Sequence, residues 1–504
     1  MTDFDIAIIG GGINGVGIAR DAAGRGLSVV LLEQNDLASG TSSASSKLIH
    51  GGLRYLEHGA LRLVREALME REVLLRTAPH LVRPMRFVLP PTPGPRFAPL
   101  LRFGLFVYDH IGARRLLPPT VTIDLTRHLA GAALKPDYRF AYEYSDCAVD
   151  DSRLVVLAAL DAAERGASIR TRTRLVNAAR TAGEWRLLLD SRGREERITA
   201  RALVNAAGPW APHVAETALG MPLPHPMRLV QGSHIVVRRR FTHDSGYLFQ
   251  TDDRRIVFAL PFGDYTLIGT TDRPFAGDPA APSPSPEEVA YLCRAVNVYF
   301  RETVAPDEVI WRYAGVRSLQ DNGRGRPEDV TRDYALVLDA AADRAPLLIV
   351  YGGKITTFRR LAEEAVGQMP LAAGPAWTHE APLPGGGFRF DEVDAVAARL
   401  QRRWPFLAAA TALRLVRAYG LRAERILGTA TSMDDLGPVL AADLTAAEVR
   451  YLMHVEWAET AEDVLWRRSK FGLAAGAAEA QALARFMAAH ADDPAGDPAG
   501  VGAQ

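Results

Sequence analysis

The sequence predicts an α/β fold that is split along the chain, with an inserted α+β segment and a helical C-terminal region. Three observations carry this. DIAIIG (Asp5–Gly10) reads as a short buried strand that runs through three glycines into a helix and then into a second buried strand, LSVVLLE (Leu27–Glu33). A late buried strand, PLLIVYGG (Pro346–Gly353), again enters a helix, TTFRRLAEEAVGQM. Beyond a Pro/Gly-rich linker at 370–387, apolar residues recur at helical spacing from about 388 to 490.

The intervening elements follow in order. Leu61–Arg76 is an amphipathic helix with its charges on one face, and residues 79–120, rich in Pro and Arg, read as irregular. A helix near Ser152–Gly166 leads into SIRTRTRLVNA, WRLLLD and ALVNAAG, a strand–helix–strand return to the opening unit. Residues 225–340 read as strands and hairpins: GSHIVV, IVFALPF, YTLIGT and YALVLD. The expected division is a discontinuous nucleotide-binding domain (1–78, 141–215, 341–370), an inserted substrate domain (79–140, 216–340), a helical domain (388–490) and a disordered tail (491–504).

Bulk composition narrows the function. Of 504 residues, 48% are hydrophobic and 23% charged, which is ordinary for a globular chain of two or more domains. Fifty-nine basic residues balance 59 acidic ones, so no overall field favours nucleic acid, and any basic site must be local. Two cysteines, Cys147 and Cys293, have neither CxxC nor metal-ligand spacing. No metal site and no disulfide framework are expected, and a reduced cytosolic setting fits. The first strand starts so early that no signal peptide is expected, and no apolar run approaches the roughly 18 residues of a membrane span.

The chemistry begins at Gly10-Gly11-Gly12-Ile13-Asn14-Gly15, which satisfies GxGxxG between a strand and a helix, with Glu33 ending the next strand. Glycines let the turn tighten and a pyrophosphate approach the backbone, while the helix N-terminus offers free N–H groups. Glu33 is placed to accept from an adenosine ribose. FAD and NAD share this signature. The stretch SSASSKLIHGGLRYLEH (Ser42–His58) bears on the choice. Thr41, Ser42, Ser45, Ser46 and Lys47 supply hydroxyls and an ammonium suited to phosphate and ribityl oxygens, and Gly51-Gly52 allows close approach to a flat ring. A solvated serine-rich loop accounts for these residues equally well. Two more junctions shift the balance: Tyr351-Gly352-Gly353-Lys354-Ile355-Thr356-Thr357, which aims a helix start at developing negative charge, and Asn205-Ala206-Ala207-Gly208-Pro209-Trp210. Together with the fingerprint they favour FAD.

These pieces resemble the FAD-dependent glycerol-3-phosphate dehydrogenases. IIGGGINGVGIARDAAGRGLSVVLLE, TSSASSKLIHGGLRYLEHG, EYSDCAVDDSRLV, LVNAAGPW, GSHIVV, IGTTD, AGVRSL, GGKITTFRRLAE and HVEWAETAEDVLWRRSKFGL occur in the family's order, over roughly residues 3–490. Ser318 stands where the family usually has proline, but Arg317 before it is retained. The resemblance implies a Rossmann-like FAD-binding domain of the glutathione-reductase/D-amino-acid-oxidase type, an inserted substrate domain and a C-terminal helical cap. It implies oxidation of sn-glycerol 3-phosphate to dihydroxyacetone phosphate, with hydride passing to flavin N5 and electrons onward to a membrane quinone. It adds Leu48, Val176, Ala207, Gly208, Gly353, Lys354 and Thr356 to the residues expected around the cofactor, with His50 as a neighbour of the flavin ring.

For the substrate, the resemblance points to Arg54, Arg317, Arg332 and Lys354 as cations for the phosphate, with Tyr55 as a further donor. His234 is the candidate general base, since an imidazole near its ordinary pKa of about 6.5 suits proton abstraction. A satisfied core histidine is the competing reading, and His50 is the second candidate. Asp272 either orients a base or caps a turn. An amine or amino-acid oxidase of the same fold would instead need a carboxylate clamp and an apolar amine pocket. A flavin-binding regulator would not require Arg54, Arg317 and Lys354 together. The segment Arg96–Leu117 mixes aromatics with arginines and suits either a membrane surface or a packed core. The expected setting is the inner face of the cytoplasmic membrane, peripherally bound, with a homodimer as one arrangement.

Overall fold

The computed structural model describes residues 2–56, 59–91, 97–112, 115–253, 255–321, 333–491 and 493. Strand β1 (Phe4–Ile9), helix α1 (Ile13–Gly24) and strand β2 (Val29–Leu32) form the opening βαβ unit. The chain then leaves it through β3 (Leu48–Ile49), α2 (Leu61–Thr77), β4 (Val82–Leu89), α3 (Phe97–Ile111), β5 (Val121–Asp124) and β6 (Phe140–Val149). Helix α4 (Asp151–Glu164) brings it back, followed by β7 (Ser168–Arg170), β8 (Thr173–Arg180), β9 (Trp185–Ser191) and β10 (Arg194–Asn205). Next come α5 (Ala211–Thr217), β11 (Met227–Arg238), β12 (Gly246–Gln250), β13 (Ile256–Phe262), β14 (Tyr265–Gly269) and β15 (Arg273–Pro274). Helix α6 (Pro286–Asn297), β16 (Trp311–Gln320), β17 (Ala335–Asp339), β18 (Leu347–Tyr351) and α7 (Phe358–Gln368) complete this part.

Two large sheets result. The first has the order β17-β18-β10-β1-β2-β7, its inner strands parallel, with β17 antiparallel at the edge and β8–β9 added to the front half of β10. Its strands are nearly all apolar because both faces are covered. Ile6 and Ile8 pack toward α1, α4 and α7, while Ala7 and Ile9 pack toward a separate core around Trp185 and Leu187. The second sheet runs β15-β11-β14-β13-β12-β4-β6-β3, with β16 on β11 and β5 on β6. Helix α6 covers one face, and α2 and α3 cover the other through Val64, Leu68, Leu105 and Tyr108. Helices Val393–Arg403, Ala409–Tyr419, Ala446–Val455 and Ala477–Ala489 enclose a core of their own. Buried ion pairs join that region to the first sheet's side: Arg153 with Glu456, and Arg468 with Asp36 at 2.8 Å.

Several elements differ from the sequence expectation. Residues 79–120 are not irregular, since they hold β4 and α3. Pro84 is tolerated because β4 pairs with β12 only at Phe87 and Val88, and Pro99 sits in the first turn of α3, where an N–H is not needed. Strand β6, expected in the 141–215 segment of the first domain, belongs to the second sheet, paired with β4 along its length. Strand β17, expected in the inserted segment, pairs with β18 in the first. Helix α6 lies within the stretch read as strands and hairpins; its Ser285–Glu288 capping box, with proline at its first position, is a signal that was there to be read. The late helix starts at Phe358, after a turn over Lys354–Thr357, not directly at the glycines. All but Ala491 and Asp493 of the expected disordered tail lies outside the described residues.

Candidate active site

A cavity of about 390 Å³ opens where the carboxyl ends of β1, β2, β10 and β18 meet the second sheet. This is the position at which parallel α/β sheets bind ligands, because loops and helix starts converge there. At one end lie Gly10, Gly12, Asn14, Glu33, Leu175, Ala207, Gly208 and Trp210. Gly10 has φ 111°, and an added Cβ would lie 2.6 Å from the Ala206 carbonyl oxygen. Gly15 does not line the cavity. It sits behind the turn, where a Cβ would come within 1.9 Å of the Gly10 oxygen, so its role is close packing of α1 on β1. The Glu33 carboxylate accepts from the Gly11 and Asn35 N–H groups, each at 2.7 Å, which fixes it at the cavity wall.

The serine-rich segment is held in place by bonds of its own. Ser42 Oγ accepts from the Ile13 N–H at 2.9 Å, at the start of α1, and the Thr41 hydroxyl donates to the Val316 carbonyl at 2.6 Å. Both line the cavity, as do Ser46, Leu48 and His50. Lys47 does not, which corrects its expected place on a phosphate. It is buried, with Nζ bonded to both oxygens of Asp151 (2.9 and 3.0 Å) and to the Ser43 carbonyl, so it pins the loop to the start of α4. Val176 is likewise not at the cavity. A bulge between Leu175 and Asn177 leaves it outside the ladder, and Leu175 faces the cavity instead.

The rest of the cavity is lined by side chains from four segments: Ser46 and Arg54 with Tyr55 from the Ser42–His58 stretch, His234, Arg317 and Lys354. His234 sits on β11 opposite Gly269, where a Cβ would fall 2.1 Å from the imidazole Cδ2. Its Nε2 is 2.9 Å from Ser46 Oγ, and its ring stacks on Tyr313 at 4.8 Å and 10°. Burial, then the positive charges of Arg317 and Lys47, holds this imidazole well below its ordinary pKa, not near it as expected. Arg317, on β16, is ion-paired with Asp272, and Gly232 on the neighbouring strand β11 leaves it room, since a Cβ there would lie 2.7 Å from the guanidinium. Asp272 therefore orients the guanidinium. Lys354 Nζ lies 3.9 Å from the centre of the Tyr55 ring. The His50 N–H donates to Thr356 Oγ1 at 3.3 Å, which ties the early loop to the late junction. Arg332 lies outside the described residues.

Sequence reasoning passed over Phe258, whose ring stands edge-on to His50 at 6.0 Å, and Tyr313, whose hydroxyl donates to the Ser45 carbonyl. The signal for Phe258 was the alternation in IVFALPF, which puts Ile256 and Phe258 on one face of β13, both at the cavity. Among the described residues, no group of three or more His, Cys, Asp or Glu is arranged to hold a metal.

This cavity fits a dinucleotide with a flat ring system. Gly352 and Gly353, at φ 66° and 97°, bring the late junction so close to α1 that a Cβ on Gly353 would lie 2.7 Å from the Asn14 amide. Asn14 donates to the Gly352 carbonyl at 3.0 Å, while its buried Oδ1 keeps no hydrogen-bond partner. A glycine-walled channel with one such open acceptor at a helix start suits a ligand that brings its own donors.

Comparison with known proteins agrees. Residues 5–359 match the family of FAD dependent oxidoreductases, and residues 376–493 match the C-terminal domain of alpha-glycerophosphate oxidase. The glycerol-3-phosphate dehydrogenase of Pseudomonas aeruginosa is 52% identical, covering 96% of this chain and 95% of that protein. The aerobic glycerol-3-phosphate dehydrogenase of Escherichia coli is 47% identical over 94% of this chain and 95% of its own. The D-erythritol 1-phosphate dehydrogenase of Brucella abortus is also 47% identical, over 96% and 97%. The solved glycerol-3-phosphate dehydrogenase of Bacillus halodurans, complexed with FAD, shares the fold with a TM-score of 0.74 at 24% identity, covering 97% of this chain and 90% of that one. FAD is the cofactor this cavity is built for, and the chain belongs to the FAD-dependent glycerol-3-phosphate dehydrogenase family.

Proposed function

We propose that the protein oxidises the C2 hydroxyl of sn-glycerol 3-phosphate to give dihydroxyacetone phosphate and passes the electrons to a membrane quinone. The observation that carries this is that Arg54, Arg317 and Lys354, from three distant segments, line the same cavity as His234. A guanidinium presents a fork to phosphate oxygens and an ammonium a point charge, which together suit a small dianion. Asp272 fixes the direction of the Arg317 fork. Bound FAD supplies the acceptor for the hydride from C2.

His234 takes the hydroxyl proton on Nε2, with Ser46 Oγ at hydrogen-bond distance to relay it. In the free protein, burial and two cations keep the imidazole neutral, the form that can accept a proton. The arriving dianion offsets those cations and so raises the basicity of His234 when substrate is in place. Tyr55 and Lys354, in contact with each other, close the site beside Arg54.

A second substrate has a specific observation behind it: the Brucella abortus relative named for D-erythritol 1-phosphate is as similar as the Escherichia coli one. Both substrates carry a phosphate and a secondary alcohol, so the same cations serve either. Steady-state reduction of a soluble dye decides. A higher kcat/KM with glycerol 3-phosphate is expected, and the reverse order would transfer the assignment.

Delivery of electrons to quinone places the protein on the inner face of the cytoplasmic membrane without crossing it. Among the described residues no helix is long and apolar enough to span a bilayer. Helix α3 buries Leu105 and Tyr108 and exposes Leu100, Phe103 and Phe106, a face suited to the headgroup boundary. Phe103→Glu with Phe106→Glu is expected to leave dye reduction intact and to abolish liposome binding and quinone reduction. Unchanged liposome binding would remove α3 from the proposal.

A further inference from the structure

Tyr108 faces inward from α3 and meets the segment that carries Arg54. Its hydroxyl accepts from the Gly51 N–H at 2.8 Å and donates to Asp146 at 2.7 Å. Asp146, on β6, is ion-paired with Arg71 of α2 at 2.7 Å, and Arg71 also donates to the Ser145 carbonyl. Tyr108, Asp146 and Arg71 are all buried. A buried ion pair contributes little by itself over apolar packing, but a buried hydrogen-bonded network helps to fix one geometry. Here its outermost bond goes to main chain in the loop between His50 and Gly52, both of which line the cavity.

The contact is tight. A Cβ on Gly51 would lie 2.6 Å from Leu68 Cδ2 and 2.8 Å from the Tyr108 hydroxyl oxygen, so only glycine fits between them. From Gly51 the chain turns at Gly52, φ 76°, into the 3-10 turn Leu53–Leu56, where the Tyr55 N–H donates to the Gly52 carbonyl at 2.9 Å. Arg54 is three residues from the Gly51 N–H. Residues of three elements (α2, α3 and β6) are thus linked through Tyr108 to one backbone amide just before the first phosphate-binding candidate.

We propose that Tyr108 is a positioning residue for the reaction: through the Gly51 amide it holds Arg54 and Tyr55 where the substrate phosphate is met. This rests on the phosphate reading above.

The test is a double-mutant cycle read in dye-reduction kinetics. Tyr108→Phe removes one oxygen and keeps the ring, which packs edge-on against Tyr144 at 5.8 Å. It is expected to hold FAD, raise KM roughly fivefold, as for one lost hydrogen bond, and change kcat less than about twofold. In an Arg54→Lys background the same change should shrink below about twofold, while in an Arg317→Lys background it should keep its full size. Leu105→Ala, which loosens α3 without touching Gly51, should lower Tm and leave KM unchanged. An unchanged KM in Tyr108→Phe, or full multiplication with Arg54→Lys, overturns the inference alone. An Arg54→Lys single variant with wild-type KM overturns the phosphate reading and the inference with it. A Tyr108→Phe chain that no longer folds or holds FAD also counts against it, because that is how a purely structural residue behaves.

Discussion

At one end of the cavity Gly10, Gly12 and Glu33, with Gly15 packed behind them, come from a single βαβ unit, and backbone amides and absent side chains shape the surface. At the other end Ser46, Arg54, His234, Arg317 and Lys354 come from four separate segments of both sheets, and polar or charged side chains shape it. The first end is local in sequence and rigid by exclusion: it works because nothing larger than hydrogen fits. The second is assembled only once the two sheets are packed together, and it is held by ion pairs and stacked rings. Damage to the first end should be all-or-none and appear as lost cofactor. Damage to the second should be graded and appear in kinetics.

Gly15→Ala strikes the first end and should have the largest effect. With its Cβ within 1.9 Å of the Gly10 oxygen, α1 must move off β1, in the class of substitutions costing roughly 4 kcal/mol or more. The variant should be recovered without FAD or not fold at all, as read by flavin absorbance of the purified protein. Full FAD occupancy with only a raised KM would erase the contrast between the two ends.

His234→Asn strikes the second end. It should retain FAD and lose roughly 10²- to 10⁴-fold in turnover, the usual worth of a positioned base. Because burial and two cations keep His234 neutral well below its ordinary range, wild-type kcat/KM should stay flat as pH falls through about 6.5, with its acidic limb lower. That limb should disappear or move in the variant. An identical limb in both proteins would assign proton acceptance to another group.

The two ends also differ in how far the sequence reveals them. The opening strand, helix, glycines and Glu33 were all legible, because every interaction that defines them falls within one supersecondary unit. Arg317 and Lys354 were reachable through the family resemblance, but their meeting with Arg54 depends on strand order, which no local pattern encodes. Lys47 shows the limit most clearly: its residue type suits a phosphate, yet Asp151, remote in sequence, captures it. Strand β6 is a similar case, since nothing local in FAYEYSDCAV says that β4 is its partner. Helix α3 was hidden because Pro and Arg around it interrupt the periodicity on which such readings rest.

The smallest effect concerns neither end but the seam to the helical region, and it checks that the contrast is not one of general stability. His80 is buried beside Phe388, both ring nitrogens lack hydrogen bonds, and burial pushes its pKa down to about 3. Below about pH 6.5 the unfolded chain protonates this histidine and the folded one does not, so stability is lost as pH falls. The slope due to His80 is at most roughly 1.4 kcal/mol per pH unit. His80→Phe should therefore lose less stability than wild type between pH 6.5 and 5 in urea titrations, with dye-reduction kinetics unchanged. Equal slopes would mean that His80 is protonated in the folded protein.

The cationic end must serve a polyol phosphate beside FAD if the protein has the proposed activity. The most direct measurement is the visible spectrum of the FAD-loaded protein under anaerobic titration with sn-glycerol 3-phosphate. The oxidised flavin should bleach with one equivalent of substrate per FAD, with dihydroxyacetone phosphate formed in equal amount. An unchanged spectrum with FAD fully bound, or bleaching by glycine but not by glycerol 3-phosphate, would contradict it.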